Sequence, residues 1–178
     1  MKRILFFILG AVILLAGCEN MKNTPTARVE EFLSKYQRLD TDVIEELNNT
    51  ISKDSLMEEE QKKEYQALLE KQYQNLSYKI KNEEIIDNTA TVEVQIEVLD
   101  YQTAVKKSKK YFEENPEEFE KSSSSKEKEY IDLKIKEMKE VTTKTKNDII
   151  FHLNNKNGIW YLEELEKSDI AKIHGLYE

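Results

Sequence analysis

The only thiol in the 178-residue sequence belongs to Cys18, and the residues before it suggest what that thiol is for. Cys18 follows an apolar run, residues 4–16, which is itself preceded by the basic pair Lys2 and Arg3. Thirteen residues are too few to span a bilayer comfortably, since that takes about 20. They fit the apolar core of an export signal, which is roughly 7–15 residues long. A cysteine at this point offers a soft sulfur nucleophile that can form a thioether.

Residues 15–18, Leu-Ala-Gly-Cys, resemble the lipobox of bacterial lipoproteins. The resemblance implies that the Cys18 sulfur receives a diacylglyceryl group and that a peptidase cuts between Gly17 and Cys18. Two or more acyl chains hold a protein at a membrane where one does not. We therefore expect a cleaved signal peptide (1–17), a lipidated tether (18–23) and a location at the extracytoplasmic face of the cell membrane. The alternative is an uncleaved signal anchor in which the cysteine is incidental.

The charge balance excludes some classes of partner. Removing Lys2 and Arg3 leaves 25 basic against 35 acidic side chains, a net charge of −10. Such a protein repels nucleic-acid phosphates, so no nucleic acid is expected. With Cys18 attached to lipid, no thiol is left for a disulfide, a redox motif or a cysteine metal site, and no cofactor is predicted.

Carboxylates are plentiful in the sequence, but few groups are candidates for acid–base or metal chemistry. The two histidines are far apart, and we expect both to be solvated. His152 lies in a predicted strand and should point outward, and His174 lies in the last turn of a predicted helix, where a cation suits the dipole. Most carboxylates occur in runs, such as Glu163 with Glu164, which are typical of solvated faces. We predict no catalytic or metal-binding residue and no enzymatic activity.

The aromatic residues point to a different kind of site. Tyr36, Tyr65, Tyr73 and Trp160 combine an apolar ring with a polar tip, which suits the wall of a small-ligand pocket. The alternative is that these rings fill the core, with their polar ends at its rim.

A charged segment, residues 101–140, is the second candidate for an interaction. It contains four lysines within an acidic protein, and acidic residues follow them, so charge complementarity could guide a protein partner there. A solvated helical hairpin explains the same pattern. The lysines are Lys106, Lys107, Lys109 and Lys110.

The periodicity of apolar residues predicts the elements that would position these groups. Residues 24–39 suit a helix with Thr24 as cap and Pro25 in the first turn, a second helix follows Asp40 or Thr41, and a third covers residues 55–76. A capping box of Ser55 and Glu58 would begin the third.

The pattern then changes to the period of two that marks strands. It does so over residues 77–86 and 89–99, and again over 141–153 and 159–165, where the Asn157-Gly158 pair between the last two is a strong hairpin signal. Residues 101–115 suit a helix, residues 121–126 form a serine-rich linker, and residues 126–140 fit either a helix or a strand, with the composition favouring a helix. A short helix over 168–175 ends the chain.

These elements imply one α+β domain over residues 24–178. We expect three N-terminal helices packed on a curved four-stranded antiparallel sheet, a helical insertion (101–140) between strands 2 and 3, and a short C-terminal helix.

Four stretches, residues 24–40, 72–80, 88–101 and 151–165, resemble small lipoproteins of low-GC Gram-positive bacteria. Those proteins are similar to the nuclear-transport-factor-2-like, cystatin-like superfamily, whose cone-shaped fold the resemblance implies here. The superfamily holds enzymes, ligand binders and assembly modules, so the fold alone does not choose a function. We expect a non-catalytic binding or assembly module, with a small-ligand carrier as the alternative and an enzyme third.

Overall fold

A computed structural model describes residues 23–119 and 125–177 of the chain. The predicted signal peptide (1–17), the tether up to residue 22 and most of the serine-rich linker (120–124) lie outside the described residues.

Six helices and four strands are described. The helices are α1 (Pro25–Arg38), α2 (Thr41–Ser52), α3 (Glu59–Asn75), α4 (Tyr101–Glu114), α5 (Lys126–Lys139) and α6 (Lys167–His174). The strands are β1 (Ser77–Ile86), β2 (Thr89–Leu99), β3 (Lys144–Lys156) and β4 (Ile159–Leu162). The α+β class predicted from the sequence is confirmed.

The strands form one antiparallel sheet in the order β1-β2-β3-β4. Alternation in β2 assigns its faces: Val92, Val94 and Ile96 are fully buried, whereas the residues between them are partly exposed. In β3 the buried Ile149 and Phe151 lie opposite Val94 and Val92, so the two central strands share one apolar face. α1 and α3 pack against this face, and the sheet leaves its other face to solvent.

The N-terminal helices begin at caps that the sequence encodes. The Thr24 side chain accepts a hydrogen bond from the Ala27 amide at 3.1 Å, and Pro25 occupies the first turn, as predicted. The third helix begins later than predicted. Its capping box joins Glu58 and Gln61 rather than Ser55 and Glu58, so the helix starts at residue 59. The cause is tertiary, because Gln61 also donates to Asp132 of α5 at 2.6 Å and is almost fully buried there.

The segment between β2 and β3 contains two described helices, α4 and α5. Residues 126–139, which fitted both a helix and a strand, form α5. Its buried residues Ile131, Ile135 and Met138 follow helical spacing and meet Leu68 of α3 and Tyr101 of α4 in a second apolar cluster. α5 therefore packs on α3, and α4 packs on α5.

A buried glutamine joins three distant parts of the chain. The Gln72 side-chain amide of α3 accepts from the Leu99 backbone N–H and donates to the Leu99 carbonyl, both at 2.8 Å. The same nitrogen donates to the His174 carbonyl at 3.0 Å. Gly175, with φ +70°, caps α6 in the left-handed conformation. Its carbonyl accepts a hydrogen bond from the backbone N–H of Gln102 at 2.7 Å. We call Gln72, Leu99, His174 and Gly175 the Gln72 junction.

We predict that Gly175→Ala destabilises the fold by about 3 kcal/mol or more, since it combines left-handed strain with overpacking. A Cβ at residue 175 would lie 2.2 Å from Gln72 Nε2 and 2.3 Å from the Leu99 carbonyl oxygen. Gly158→Ala is the matched control, because Gly158 has φ +82° but nothing within 4 Å of a Cβ. It should cost only about 1 kcal/mol. Urea unfolding of both variants measures the difference, and equal losses would contradict the close packing of the junction.

Candidate functional site

A cleft in the described part of the chain lies between α1, α2 and the segment that joins β4 to α6. It has a volume of about 810 Å³ and leads to a smaller chamber of about 90 Å³. Both are lined by Tyr36, Glu46, Thr50, Ile170 and His174.

Two tyrosines and a histidine line the smaller chamber, and we call these three residues the floor of the cleft. The rings of Tyr36 and Tyr73 meet edge to face with their centroids 4.9 Å apart. Tyr73 Oη lies 2.8 Å from His174 Nε2, within hydrogen-bonding distance. The tyrosines are nearly inaccessible, with 5% and 2% of their surfaces exposed, so a ligand would meet mainly His174 among the three floor residues.

Three helices hold this floor in place. Tyr36 is on the buried stripe of α1 with Val29 and Leu33, and Tyr73 is on the buried face of α3. His174 is the last residue of α6, and its carbonyl is bound by Gln72. The Gln72 junction therefore fixes the position of the imidazole, because Gly175, which caps α6, directly follows His174, which lines the cleft.

His174 is not the solvated residue that its position in the sequence suggested. It is partly buried against Tyr73, and burial lowers its pKa to about 4. Desolvation disfavours the charged form, so the imidazole is neutral at neutral pH. A helix C-terminus favours a cation, but here the loss of water outweighs the dipole.

The tyrosines of the floor stay protonated over the physiological range. Burial raises the pKa of both Tyr36 and Tyr73, and the negative charge of Glu46 raises them further. Each phenol is therefore a neutral hydrogen-bonding group and not an anionic nucleophile.

The rim of the cleft carries more negative than positive groups. Glu46 of α2 and the Glu163–Glu164 pair after β4 contribute carboxylates, against a single lysine, Lys167. Asn154 Nδ2 donates to a Glu163 carboxylate oxygen, which ties that side chain to β3. Between rim and floor the wall is apolar, with Phe32, Leu162, Leu165, Ile170 and Ala171.

The structure brings together two of the four aromatic residues proposed as pocket lining, Tyr36 and Tyr73. Tyr65 packs between the two apolar clusters, where Lys134 Nζ lies 5.2 Å from its ring centroid and burial raises its pKa to about 12. Trp160 lines a separate groove of about 300 Å³ beside α1. Sequence reasoning did not include Glu46 or His174 in the site.

His152 and the Glu163–Glu164 pair line a second depression, of about 350 Å³. His152 is exposed on the outer face of the sheet, as predicted. Over residues 23–119 and 125–177, no three His, Asp, Glu or Cys side chains gather closely enough to hold a metal ion. Among the helices of those same ranges, none is long and apolar enough to cross a bilayer.

Carboxylates accompany three of the four lysines of α4. Lys107 Nζ lies 2.6 Å from Glu137 of α5, and Lys109 and Lys110 face Glu113 and Glu114 at 4.0 and 3.8 Å. The surface at these lysines is thus mixed in charge rather than basic.

We predict that His174 makes the fold sensitive to acid between pH 6.5 and pH 4. Its pKa is about 4 in the fold and about 6.5 when unfolded, so the unfolded state binds the extra proton in this window and stability falls as pH falls. Between pH 7 and pH 4 the wild type should lose roughly 3 kcal/mol more than His174→Gln. Urea titrations across this range measure it.

His152→Gln is the control for removing an imidazole, because it changes the other histidine, which is exposed on the sheet. It should retain the acid sensitivity that His174→Gln loses. Parallel pH profiles for the wild type and His174→Gln would show that the imidazole is hydrated in the fold.

Comparisons with known proteins do not place the chain in a family. No family model, no curated protein and no solved structure matches it. Any functional assignment must therefore rest on the residues and geometry described above.

Proposed function

We propose that this chain is a lipid-anchored, extracytoplasmic binding module without catalytic activity. The observation that carries the proposal is the cleft between α1, α2 and α6, with its neutral floor of Tyr36, Tyr73 and His174 and its acidic rim. A concave, largely apolar site with a few converging polar groups is the usual form of a small-ligand pocket.

The chemistry of the floor supports binding rather than catalysis. Tyr73 and His174 are hydrogen-bonded to each other, so each uses part of its polar capacity within the protein. A general base works best with a pKa near the operating pH, whereas that of His174 is about 4. The phenols, with raised pKa values, are weak nucleophiles.

The rim and wall favour a small ligand that has an apolar body and an amine. The carboxylates of Glu46, Glu163 and Glu164 outnumber Lys167 and would attract a cation. The apolar wall would take up a hydrocarbon or aromatic portion. The imidazole, uncharged at neutral pH, adds no repulsion toward a cationic ligand.

The membrane anchor in this proposal rests on Cys18 and the residues before it. The export-signal pattern of residues 2–16 and the lipobox-like residues 15–18 support a cleaved, diacylated N-terminus. Only four residues separate Cys18 from Asn23, the first described residue, so the domain would stay close to the lipid surface.

A cystatin-like cone is the finer fold assignment that accompanies this proposal. Its support is the antiparallel meander, the covering of one face by α1 and α3, and a register irregularity between Ile80 and Asn82 of β1. Such bulges bend and twist a strand, as a curved sheet requires.

An assembly role through residues 101–140 is the alternative mode of binding. α4 packs on α5 and exposes Tyr111 beside its lysine–glutamate pairs, which offers a partner both apolar and charged contacts. A pull-down with the Lys109→Glu/Lys110→Glu variant tests it, since partner loss is expected only if this face binds.

We predict that small amines with an apolar body raise the melting temperature and that Glu46→Gln weakens their binding roughly tenfold, because it removes a charge-assisted hydrogen bond. Glu45→Gln is the matched control: Glu45 is the preceding residue of α2, is exposed and is not part of the cleft lining. Thermal-shift titrations measure both. Equal affinities for the two variants, or no stabilisation at millimolar amine, would contradict an amine site at this rim.

We predict that Cys18→Ser abolishes palmitate labelling and releases the protein from the membrane fraction, because serine provides no thiol for the thioether. The measurement is metabolic labelling followed by fractionation of a bacterial host. Continued labelling with palmitate, or wild-type membrane association, would disprove lipidation at Cys18.

A further inference from the structure

We infer that one end of the domain, formed by the β1–β2 and β3–β4 turns, lies against the lipid headgroups and inserts exposed isoleucines among them. This inference rests on the lipid anchor proposed above. Its evidence is independent of the cleft, since it comes from the hydrogen bonds of Asn23 and from the side chains that are exposed beside it.

The start of the described chain is fastened to the tip of the β3–β4 hairpin. Asn23 Nδ2 donates to the Gly158 carbonyl at 2.5 Å, and Asn23 Oδ1 accepts from the Trp160 amide at 3.3 Å. The side-chain amide thus pairs with the edge of β4 much as a neighbouring strand would. The residue that follows the tether is held at one defined end of the sheet.

The second hairpin turn lies at the same end. The backbone N–H of Asn155 donates to the backbone carbonyl of Asn88 at 2.8 Å, and this hydrogen bond joins the two turns. The Thr26 amide at the start of α1 donates to a Glu83 carboxylate oxygen of β1, also at 2.8 Å. The two turns and the start of α1 therefore form one continuous surface around Asn23.

This surface carries four of the seven large apolar side chains that are exposed in the described part of the chain. They are Ile85 (51% exposed), Ile86 (60%), Ile159 (43%) and Tyr161 (49%), which we call the isoleucine end. On the outer face of the sheet, one row of paired residues crosses all four strands. It runs from Ile86 through Thr89 and Asn154 to Tyr161. Three strand spacings make that row about 14 Å wide.

The short tether keeps this surface near the membrane. From Cys18 to Asn23 a fully extended chain covers at most about 17 Å. If Cys18 carries the acyl chains, Asn23 stays within about that distance of the lipid, and the β3–β4 turn to which Asn23 is hydrogen-bonded stays beside it. Exposed isoleucines there gain free energy by leaving water, and tyrosine is enriched at membrane interfaces.

The charged groups at the isoleucine end are compatible with a shallow contact between this surface and the lipid headgroups. Lys156 Nζ lies 5.9 Å from the centroid of the Tyr161 ring and can meet lipid phosphates. Glu84 and Asp87 are exposed near the β1–β2 turn and would stay in the water of the headgroup layer. Contact therefore depends on apolar side chains and the anchor, not on an attraction between a basic patch and anionic lipid.

The test places an environment-sensitive fluorophore on a single new cysteine in the full, lipidated chain, where the Cys18 thiol is already used. Ile86→Cys and Ile159→Cys report on the isoleucine end. Tyr111→Cys, at an exposed aromatic residue of α4, is the matched control. Each protein is reconstituted in phosphatidylcholine vesicles, with and without bromine on the acyl chains near the headgroups, and is floated on a density gradient.

Labels at 86 and 159 should shift their emission to the blue and be quenched by brominated lipid, whereas the label at 111 should do neither. If the protein floats but the three labels behave alike, the membrane-facing assignment is wrong and the anchor stands. A blue shift without bromine quenching would mean that a second copy of the chain covers the surface, which also overturns the assignment. If the protein does not float, the anchor is wrong and the assignment falls with it.

Discussion

The side-chain amide of Gln72 is the interaction on which the rest of the structure depends. It satisfies the backbone N–H and C=O of Leu99, where β2 ends, and also binds the His174 carbonyl, where α6 ends. Leaving a buried backbone group unpaired costs about 1–3 kcal/mol, so an apolar residue at this position would be expensive. One fully buried glutamine thus joins the long helix, the central sheet and the end of the chain.

The cleft depends on this junction for its shape. α6 is only eight residues long and contributes one fully buried residue, Ile173, so the capping contacts around Gly175 matter to its position. Those contacts hold His174 beside Tyr73, in surroundings that keep the imidazole neutral. The site is assembled from side chains of α1, α2, α3 and α6. Its geometry therefore depends on how these four helices pack together.

Local sequence patterns predicted the secondary structure well where one face of an element is exposed to solvent. The alternation of β2 and the Asn157-Gly158 turn, whose residues have φ of +54° and +82°, are written in adjacent residues. The start of α3 was predicted wrongly because Ser55 and Glu58 match the capping pattern locally. The pair that forms, Glu58 and Gln61, is favoured by a contact between Gln61 and Asp132, 71 residues away.

The sequence by itself determined most of the secondary structure and which face of β2 is buried, because these depend on periodicity and on turn residues close together in the chain. It also predicted Tyr36 and Tyr73 as possible lining. Only the tertiary structure decided that His174 joins them, that Tyr65 and Trp160 lie elsewhere, and that Gln72 is buried. Glutamine and histidine are usually solvated, and what removes water from these two is contact with residues as many as 102 positions away.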